Sequence, residues 1–266
     1  MAKKIIEAPA NGRLSRRDLL GFAARGAASV VVSQSLLLAC ATDTISGTTT
    51  STDTTGGTTG TTGGTTGSSS CVLTASLTEG PYFVDEKLNR SDIRSDPVTG
   101  AVSAGIPLAL TFNVSRVASS ACTPLTGAYL DVWHCDAAGV YSDISGASRK
   151  FLRGYQITDA NGVAQFQTVY PGWYAGRAVH IHFKLRLFAG STKTYEFTSQ
   201  FFIDDTLTDS VYTQSPYSSR GTRTTRNTQD GIYNSLSAAG KAALTLQTSK
   251  TADGYAGVIN LGVSVG

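Results

Sequence analysis

Residues 179–187 read VHIHFKLRL, and this alternation indicates a β-strand with one apolar face. Successive side chains of a strand point to opposite faces, so the odd-numbered positions, all Val, Ile, Phe or Leu, are expected to face the core. His180 and His182 occupy even-numbered positions and therefore point together away from that core. Since the chain has only three histidines, this pair marks the first candidate site.

Other short apolar segments, separated by Gly, Asn and Asp turns, predict further strands. These predicted strands cover residues 108–114, 128–135, 163–170, 178–188 and 195–203, followed by a closing hairpin of 244–248 and 256–263. One short helical stretch is expected within residues 228–243. The pattern is typical of an all-β fold, and we predict one antiparallel β-sandwich domain with few short helices over residues 71–266.

Composition and charge exclude two classes of partner. The 266 residues are 41% hydrophobic, and the formal net charge is +3. Residues 1–40 contain six Lys/Arg and two Asp/Glu, a sum of +4, so the remaining 226 residues sum to −1. A region so close to neutral has no basic patch that would bind nucleic acid and no broad basic face that would bind a membrane surface.

The first 40 residues are predicted to be an export signal. Residues 15–20 (SRRDLL) resemble a twin-arginine signal, and residues 37–40 (LLAC) resemble a lipoprotein processing box. The alternative is a transmembrane helix, which Arg25 and Gln34 in the weakly apolar stretch disfavour. We therefore expect export by the twin-arginine route to the cell envelope, periplasm or extracellular face, with a lipid on Cys40 as membrane anchor.

Residues 41–70 are predicted to be a flexible linker. They contain 14 Thr, 7 Gly and 5 Ser. Such a segment buries too little apolar surface to offset the entropy lost on ordering. It would hold the folded domain away from the membrane, either as a plain tether or as a glycosylated stalk.

The cysteines allow one disulfide in an oxidising compartment. If Cys40 carries a lipid, Cys71, Cys122 and Cys135 remain, and three pairings are possible. We favour Cys71–Cys122, because both lie in loop-like contexts. Cys135 ends an apolar strand and is expected to be a small buried residue.

Two tyrosines near the histidine pair suggest the chemistry of the site. Tyr174 lies six residues before His180 at the end of a Pro-Gly turn, and Tyr141 follows a predicted strand and a glycine. Neutral imidazoles bind Zn, Cu, Fe and Ni, whereas a phenolate is a hard anionic donor that suits an ion such as Fe(III). The residues leave two alternatives open: a copper or zinc protein built on the histidines, and a transthyretin-like sandwich that binds aromatic or sugar ligands without catalysis.

Other polar residues are expected to be structural. His134 shares a predicted strand face with apolar residues, which favours a hydrogen-bonded core histidine over a metal ligand. Arg220, Arg223 and Arg226 form a basic run in a Ser/Thr-rich loop, for which a solvated surface is expected.

Six motifs resemble one known family. They are TEGPY (78–82), DVWHCD (131–136), GVYS (139–142), FLRG (151–154), PGWY (171–174) and RAVHIHF (177–183). Over residues 77–233 the chain resembles the intradiol ring-cleavage dioxygenases, such as protocatechuate 3,4-dioxygenase and catechol 1,2-dioxygenase, in an exported form. The resemblance is to exported members of that family, so we expect no helical linker domain of the kind that the catechol enzymes have.

The resemblance implies one mononuclear non-haem Fe(III) per chain, with Tyr141, Tyr174, His180 and His182 as ligands and a solvent hydroxide as the fifth. It implies that O₂ cleaves a catechol-type ring between its two hydroxyl-bearing carbons and gives a muconate-type diacid. The partners would be a small catechol and O₂, with no nucleic acid. Assembly is left open, with a homodimer among the expected states.

The resemblance also assigns roles around the metal. Tyr174 would be the axial tyrosine that leaves the metal and takes up a catechol proton. Arg177 would stabilise negative charge that develops on the ring. Gln200 and Tyr82 would line the substrate pocket.

Overall fold

The computed structural model describes residues 72–118, 121–144 and 148–265. These residues belong to one compact unit. The predicted export signal at 1–40, the lipid on Cys40 and the linker at 41–70 lie outside the described residues and stay predictions. Among the helices that the structure describes, none is long and apolar enough to cross a membrane.

The described residues form nine strands and a few short helices. The strands are β1 (Pro107–Ala118), β2 (Ala121–Pro124), β3 (Tyr129–Trp133), β4 (Arg153–Ile157), β5 (Val163–Val169), β6 (His180–Ala189), β7 (Thr192–Phe202), β8 (Gln247–Lys250) and β9 (Tyr255–Val263). The α-helices are α1 (Asp205–Tyr212), α2 (Gly231–Asn234) and α3 (Ala238–Ala243), and 3₁₀ turns cover Tyr217–Arg220 and Asn227–Gln229.

Two sheets pack face to face, which confirms the predicted sandwich. One sheet has the order β4-β3-β6-β7, and all its pairs are antiparallel. The other has the order β2-β1-β9-β8, with β5 also paired to β1. Its β1–β9 pair is parallel, and β8 joins this sheet as the antiparallel hairpin partner of β9. The prediction of an antiparallel sandwich therefore fails at this one pair.

The apolar row of β6 faces the other sheet, as its alternation predicts. Ile181, Phe183 and Leu185 are fully buried, and Leu187 is partly buried against the same core. Phe183 meets the ring of Phe112 from the opposite sheet at 5.9 Å between centroids. Each such side chain contributes roughly 1.5–3 kcal/mol by leaving water, so this interface stabilises the position of β6.

The helical predictions need correction. The helical stretch expected within 228–243 is divided into α2 and α3, because the chain turns between them to bury Leu236. α1 was not predicted; the carboxylate of Asp204 caps it by accepting hydrogen bonds from the backbone N–H groups of Thr206 and Leu207. Strands β2 and β4 were also missed, since their short sequences show no clear apolar alternation.

The described cysteines agree with part of the disulfide prediction. Cys122 is disulfide-bonded. Cys71 lies outside the described residues, so the Cys71–Cys122 pairing stays a prediction. Cys135 is a free, buried thiol that donates to the Gly172 carbonyl at 3.4 Å, which confirms its structural role.

Candidate metal centre

His180 and His182 lie on the face of β6 that points away from the inter-sheet core, and yet both are buried. Their side chains are only 2% and 1% exposed. A second cluster of aromatic residues covers this face, with Trp133 and Tyr141 at its centre and Tyr82, Phe83 and Tyr174 around them. The histidines therefore occupy an enclosed polar site between a sheet and its aromatic cover.

The four predicted metal ligands converge at this site. The Nε2 atom of His180 lies 3.1 Å from Nε2 of His182 and 3.1 Å from the phenol oxygen of Tyr174. The phenol oxygen of Tyr141 lies 3.5 Å from the same Nε2 atom. Two nitrogen and two oxygen donors, from three separate parts of the chain, thus meet at one point.

The imidazole rings are oriented by their surroundings. His180 Nδ1 lies 2.6 Å from the Ala178 carbonyl, so Nδ1 is assigned the proton and Nε2 keeps its lone pair toward the site. The His182 ring stacks on Trp133 with centroids 5.0 Å apart and planes 8° apart. Its Nδ1 is buried without a hydrogen-bond partner among the described residues, so stacking rather than a hydrogen bond sets its orientation.

Two interlocked loops bring in the phenols. Gly139 has φ +76°, a left-handed conformation that favours glycine, and a Cβ there would collide with the Trp173 carbonyl. Gly172 donates its backbone N–H to the Asp136 carbonyl at 3.0 Å. These contacts fix the loop that ends at Tyr141 against the loop that ends at Tyr174.

Burial sets the protonation of these groups. It lowers the pKa of His180 to about 3 and that of His182 well below its ordinary value, so both imidazoles are neutral. It raises the pKa of Tyr174 to about 12 and that of Tyr141 well above its ordinary value. Each phenol therefore keeps its proton at neutral pH unless a cation lies close enough to stabilise the phenolate.

The donor set fits a small, highly charged metal ion. Metal–nitrogen bonds are about 2.0–2.1 Å long, so ligands at about 90–110° to one another lie roughly 2.9–3.4 Å apart. The two spacings of 3.1 Å lie within this range, and the spacing of 3.5 Å to Tyr141 lies just above it. No group of three His, Cys, Asp or Glu suited to a metal occurs within 72–118, 121–144 and 148–265. A metal here would therefore need the phenol oxygens, which favours a hard ion such as Fe(III) over zinc.

Arg177 and Gln200 lie beside the four predicted metal ligands, and their roles toward a substrate stay predictions. Arg177 Nη1 lies 3.4 Å from His180 Nε2, and its Nη2 donates to Gln200 Oε1. Gln200 is the cross-strand partner of His182 and donates from Nε2 to the Thr78 carbonyl at 3.1 Å. The guanidinium thus places a positive charge at the edge of the donor set.

Asp230 holds this arginine, and sequence reasoning missed it. Its fully buried Oδ2 accepts from Arg177 Nε and from the Ala178 backbone N–H, both at 2.8 Å. Its Oδ1 caps α2 by accepting from Ile232 and Tyr233 N–H. Burial would raise the pKa of Asp230, but these partners together hold it below its ordinary value. An Asp before a short helix is a capping signal that could have identified it.

The remaining predicted residues are also located. Tyr82 stacks on Tyr141 with centroids 4.3 Å apart and meets Tyr174 edge-on at 6.4 Å. His134 lies in the core, with Nδ1 2.8 Å from the Cys135 carbonyl and Nε2 2.6 Å from Thr168 Oγ1, which confirms its structural reading.

The solvated surface expected for the basic run is wrong for two of its three arginines. Arg223 is only 7% exposed, because it pairs with Asp205 and Asp209 of α1. Arg220 lies over the ring of Trp173 at 4.7 Å and donates to the carbonyl of that residue. It therefore packs on the loop that carries Tyr174, whereas Arg226 is exposed.

Comparisons with solved structures agree with this geometry. The chain is similar to an intradiol ring-cleavage dioxygenase from Tetranychus urticae, with 29% identity and a TM-score of 0.62 over 73% of this chain and 95% of that one. It is also similar to the dioxygenase domain of a dioxygenase carbohydrate-binding protein fusion from Streptomyces sp. SirexAA-E. That match has 27% identity and a TM-score of 0.52 over 73% of this chain and 100% of that one.

Sequence comparisons give the family. A catechol 1,2-dioxygenase from Acinetobacter lwoffii is 28% identical over 157 residues, 49% of this chain and 46% of that protein. The chain thus spans about half the length of the curated relatives it matches. The family model described as Dioxygenase matches residues 78–230, more than half of the chain. The chain therefore belongs to this dioxygenase family and shares the fold of its intradiol ring-cleavage members.

Proposed function

We propose that this chain cleaves a catechol-type ring between its two hydroxyl-bearing carbons, using O₂ and one non-haem Fe(III) ion, and gives a muconate-type diacid. Both atoms of O₂ enter the product and one carbon–carbon bond breaks, so no further oxidant or reductant is needed. The observation that carries the proposal is the convergence of the phenol oxygens of Tyr141 and Tyr174 on the His180–His182 pair.

Tyr141, Tyr174, His180 and His182 would hold the metal. When bound, Fe(III) supplies a Lewis acid that activates the catecholate and a template for its reaction with O₂. Two phenolates, two neutral imidazoles and one hydroxide sum to −3, which would compensate a trivalent ion. A catechol dianion in place of the hydroxide and of one phenolate would keep the same sum. Charge compensation matters here because an uncompensated charge is costly in a site this deeply buried.

The two phenols differ in a way that separates their roles. Both phenols lie in loops, but Tyr141 is buried under the ring of Tyr82, whereas Tyr174 is partly exposed. Tyr174 is therefore the phenol that can move and accept a proton from an incoming catechol hydroxyl. Tyr141, confined by packing, would stay in place throughout.

Other side chains would orient the substrate and exclude water. Arg177 presents its guanidinium next to His180, where it would stabilise negative charge on the ring. Gln200 fixes that guanidinium from the neighbouring strand. Tyr82, Phe83 and Trp133 form an apolar cover, which keeps the local dielectric low and strengthens these interactions.

The test uses protein purified from iron-sufficient cells. We expect about one iron per chain, a red-brown colour from tyrosinate-to-iron charge transfer, and O₂ uptake with at least one member of a small catechol panel. Tyr174→Phe should reduce activity more than iron content, and Tyr195→Phe, a partly buried tyrosine on β7 outside the site, should change neither. A colourless, iron-free wild-type protein would refute the proposal. Unchanged activity and iron in Tyr174→Phe would refute the role given to that phenol.

A further inference from the structure

A second concave site lies on the same sheet as the histidines. It is a groove of ≈ 400 Å³, a volume within the range of small-molecule sites. Arg186 lines it and lies four residues beyond His182 on β6, on the same face of the strand, roughly 14 Å further along. The groove is therefore separate from the candidate metal centre.

The floor of the groove is aromatic. Tyr129 stacks on Tyr155 with centroids 5.4 Å apart and planes 29° apart. Phe188 meets Tyr129 edge-on at 4.9 Å. All three rings are half-buried, so each still presents part of its surface to the groove. Converging rings of this kind favour another planar ring, which can stack or meet them edge-on.

Positively charged side chains outnumber carboxylates around this aromatic floor. Lys87, Arg186 and Lys193 line the groove against one carboxylate, Asp85, so the lining sums to +2. Two of these cations already have carboxylate partners. Arg186 pairs with Asp85 in the groove and with Asp131 behind it, and Lys193 pairs with Glu196.

Lys87 is different from the other two cations. Among the residues that the structure describes, no carboxylate lies within ion-pair distance of its ammonium group. It is exposed, and its backbone has φ +52°, a conformation that few residues other than glycine adopt.

We propose that this groove binds an aromatic carboxylate. The ring of the ligand lies against Tyr129, Tyr155 and Phe188, and its carboxylate meets the ammonium of Lys87. A neutral ring would leave the ammonium of Lys87 without an ion pair, and an aliphatic acid would make no ring contact with the aromatic floor. The site therefore requires both features in one ligand, whether or not the metal centre cleaves it.

Binding of benzoate to the purified protein, measured by titration calorimetry, tests the proposal. Benzoate has no adjacent hydroxyl groups, so it is not a substrate for the proposed reaction. Benzamide has the same ring without the charge, and cyclohexanecarboxylate has the charge without the aromatic ring. We expect each to bind about threefold to tenfold more weakly than benzoate.

Two variants locate the binding. Lys87→Gln should weaken benzoate about threefold to fivefold, and Tyr155→Ser about tenfold, while O₂ uptake with a catechol stays unchanged. Lys241→Gln is the matched control, because Lys241 also lies near a tyrosine ring, 5.1 Å from Tyr233, outside the groove. If benzoate does not bind, or binds Lys87→Gln as it binds wild type, the proposal is wrong. Loss of ring cleavage in wild type would refute the proposed reaction but not this site.

Discussion

Replacing Asp230 by asparagine should weaken both the fold and the candidate metal centre. The two carboxylate oxygens accept four hydrogen bonds, from Arg177, Ala178, Ile232 and Tyr233. An amide has one acceptor oxygen and one NH₂ group, so either orientation leaves two donors facing another donor. Each lost bond to a charged group costs about 1.5 kcal/mol, and the free energy of unfolding should therefore fall by about 3 kcal/mol.

We use the lower end of the range of about 1.5–3 kcal/mol per bond, because the Arg177 side chain is 18% exposed and water can replace part of its lost interaction. The effect on catalysis comes from the same change. Without the carboxylate, the guanidinium of Arg177 is no longer held beside His180. Displacing one electrostatic group of this kind should lower kcat/KM about tenfold to a hundredfold.

Three measurements separate these effects. Urea titration gives the stability, O₂ uptake gives kcat/KM, and the iron content with the charge-transfer band shows whether the ligands still assemble. Asp96→Asn is the control, since Asp96 is also buried and its Oδ1 accepts from two backbone N–H groups, but it contacts none of the site residues. It should lose stability and keep kcat/KM per folded molecule. If Asp230→Asn keeps wild-type kcat/KM, or loses no more than Asp96→Asn, Asp230 does not position Arg177.

Two further predictions concern pH and loop packing. Burial lowers the pKa of His134 from 6.5 to about 4, so the unfolded chain binds more protons between these values and stability should fall as pH drops from 6.5 to 4. This residue accounts for about 1.4 kcal/mol per pH unit, and urea titrations of His134→Asn should show a slope shallower by that amount; an equal slope would contradict the assignment. Gly139→Ala should lower the free energy of unfolding by about 3 kcal/mol or more, because its Cβ collides with the Trp173 carbonyl. The same collision should remove the tyrosinate-to-iron charge-transfer band. Gly190→Ala, with φ +61° and open space around it, should cost only about 1–2 kcal/mol of backbone strain and keep the colour; equal losses in both variants would rule out the collision.

The sequence predicted the structure best where the spacing of its apolar residues matched the two-residue repeat of a β-strand. The alternation over residues 179–187 predicted both the strand β6 and the direction of its histidines, because a strand has only two faces. Arg153–Ile157 shows no such alternation, and β4 forms because it pairs with β3 along its whole length. The parallel β1–β9 pair depends on where the chain returns after the helices, which no local pattern encodes.

In the candidate site, too, local sequence patterns could not predict contacts between residues that are distant in the chain. The resemblance to a family brought Tyr141, Tyr174 and the histidines together, and their atoms do converge in the structure. Asp230 was missed because its partner Arg177 lies 53 residues away in sequence, and only the folded chain makes them neighbours. Arg223 was misread for a similar reason: its buried position depends on α1, a helix that the sequence pattern did not reveal.

The position of the site follows from the burial of β6 on both sides. A strand covered on both faces usually reads as a continuous apolar run. In β6 the face that points away from the core instead carries His180, His182, Lys184 and Arg186, all nearly inaccessible to water. Polar groups remain buried only where partners compensate the lost hydration. Lys184 and Arg186 have such partners in carboxylates of neighbouring strands and loops. The Nε2 atom of His180 instead lies beside Nε2 of His182, two phenols and Arg177, with no carboxylate among the contacts that the described residues make there. A bound cation is the partner that would complete this set. For this reason we propose that a metal binds at the end of the strand that carries the histidines, and not at the end that carries Arg186.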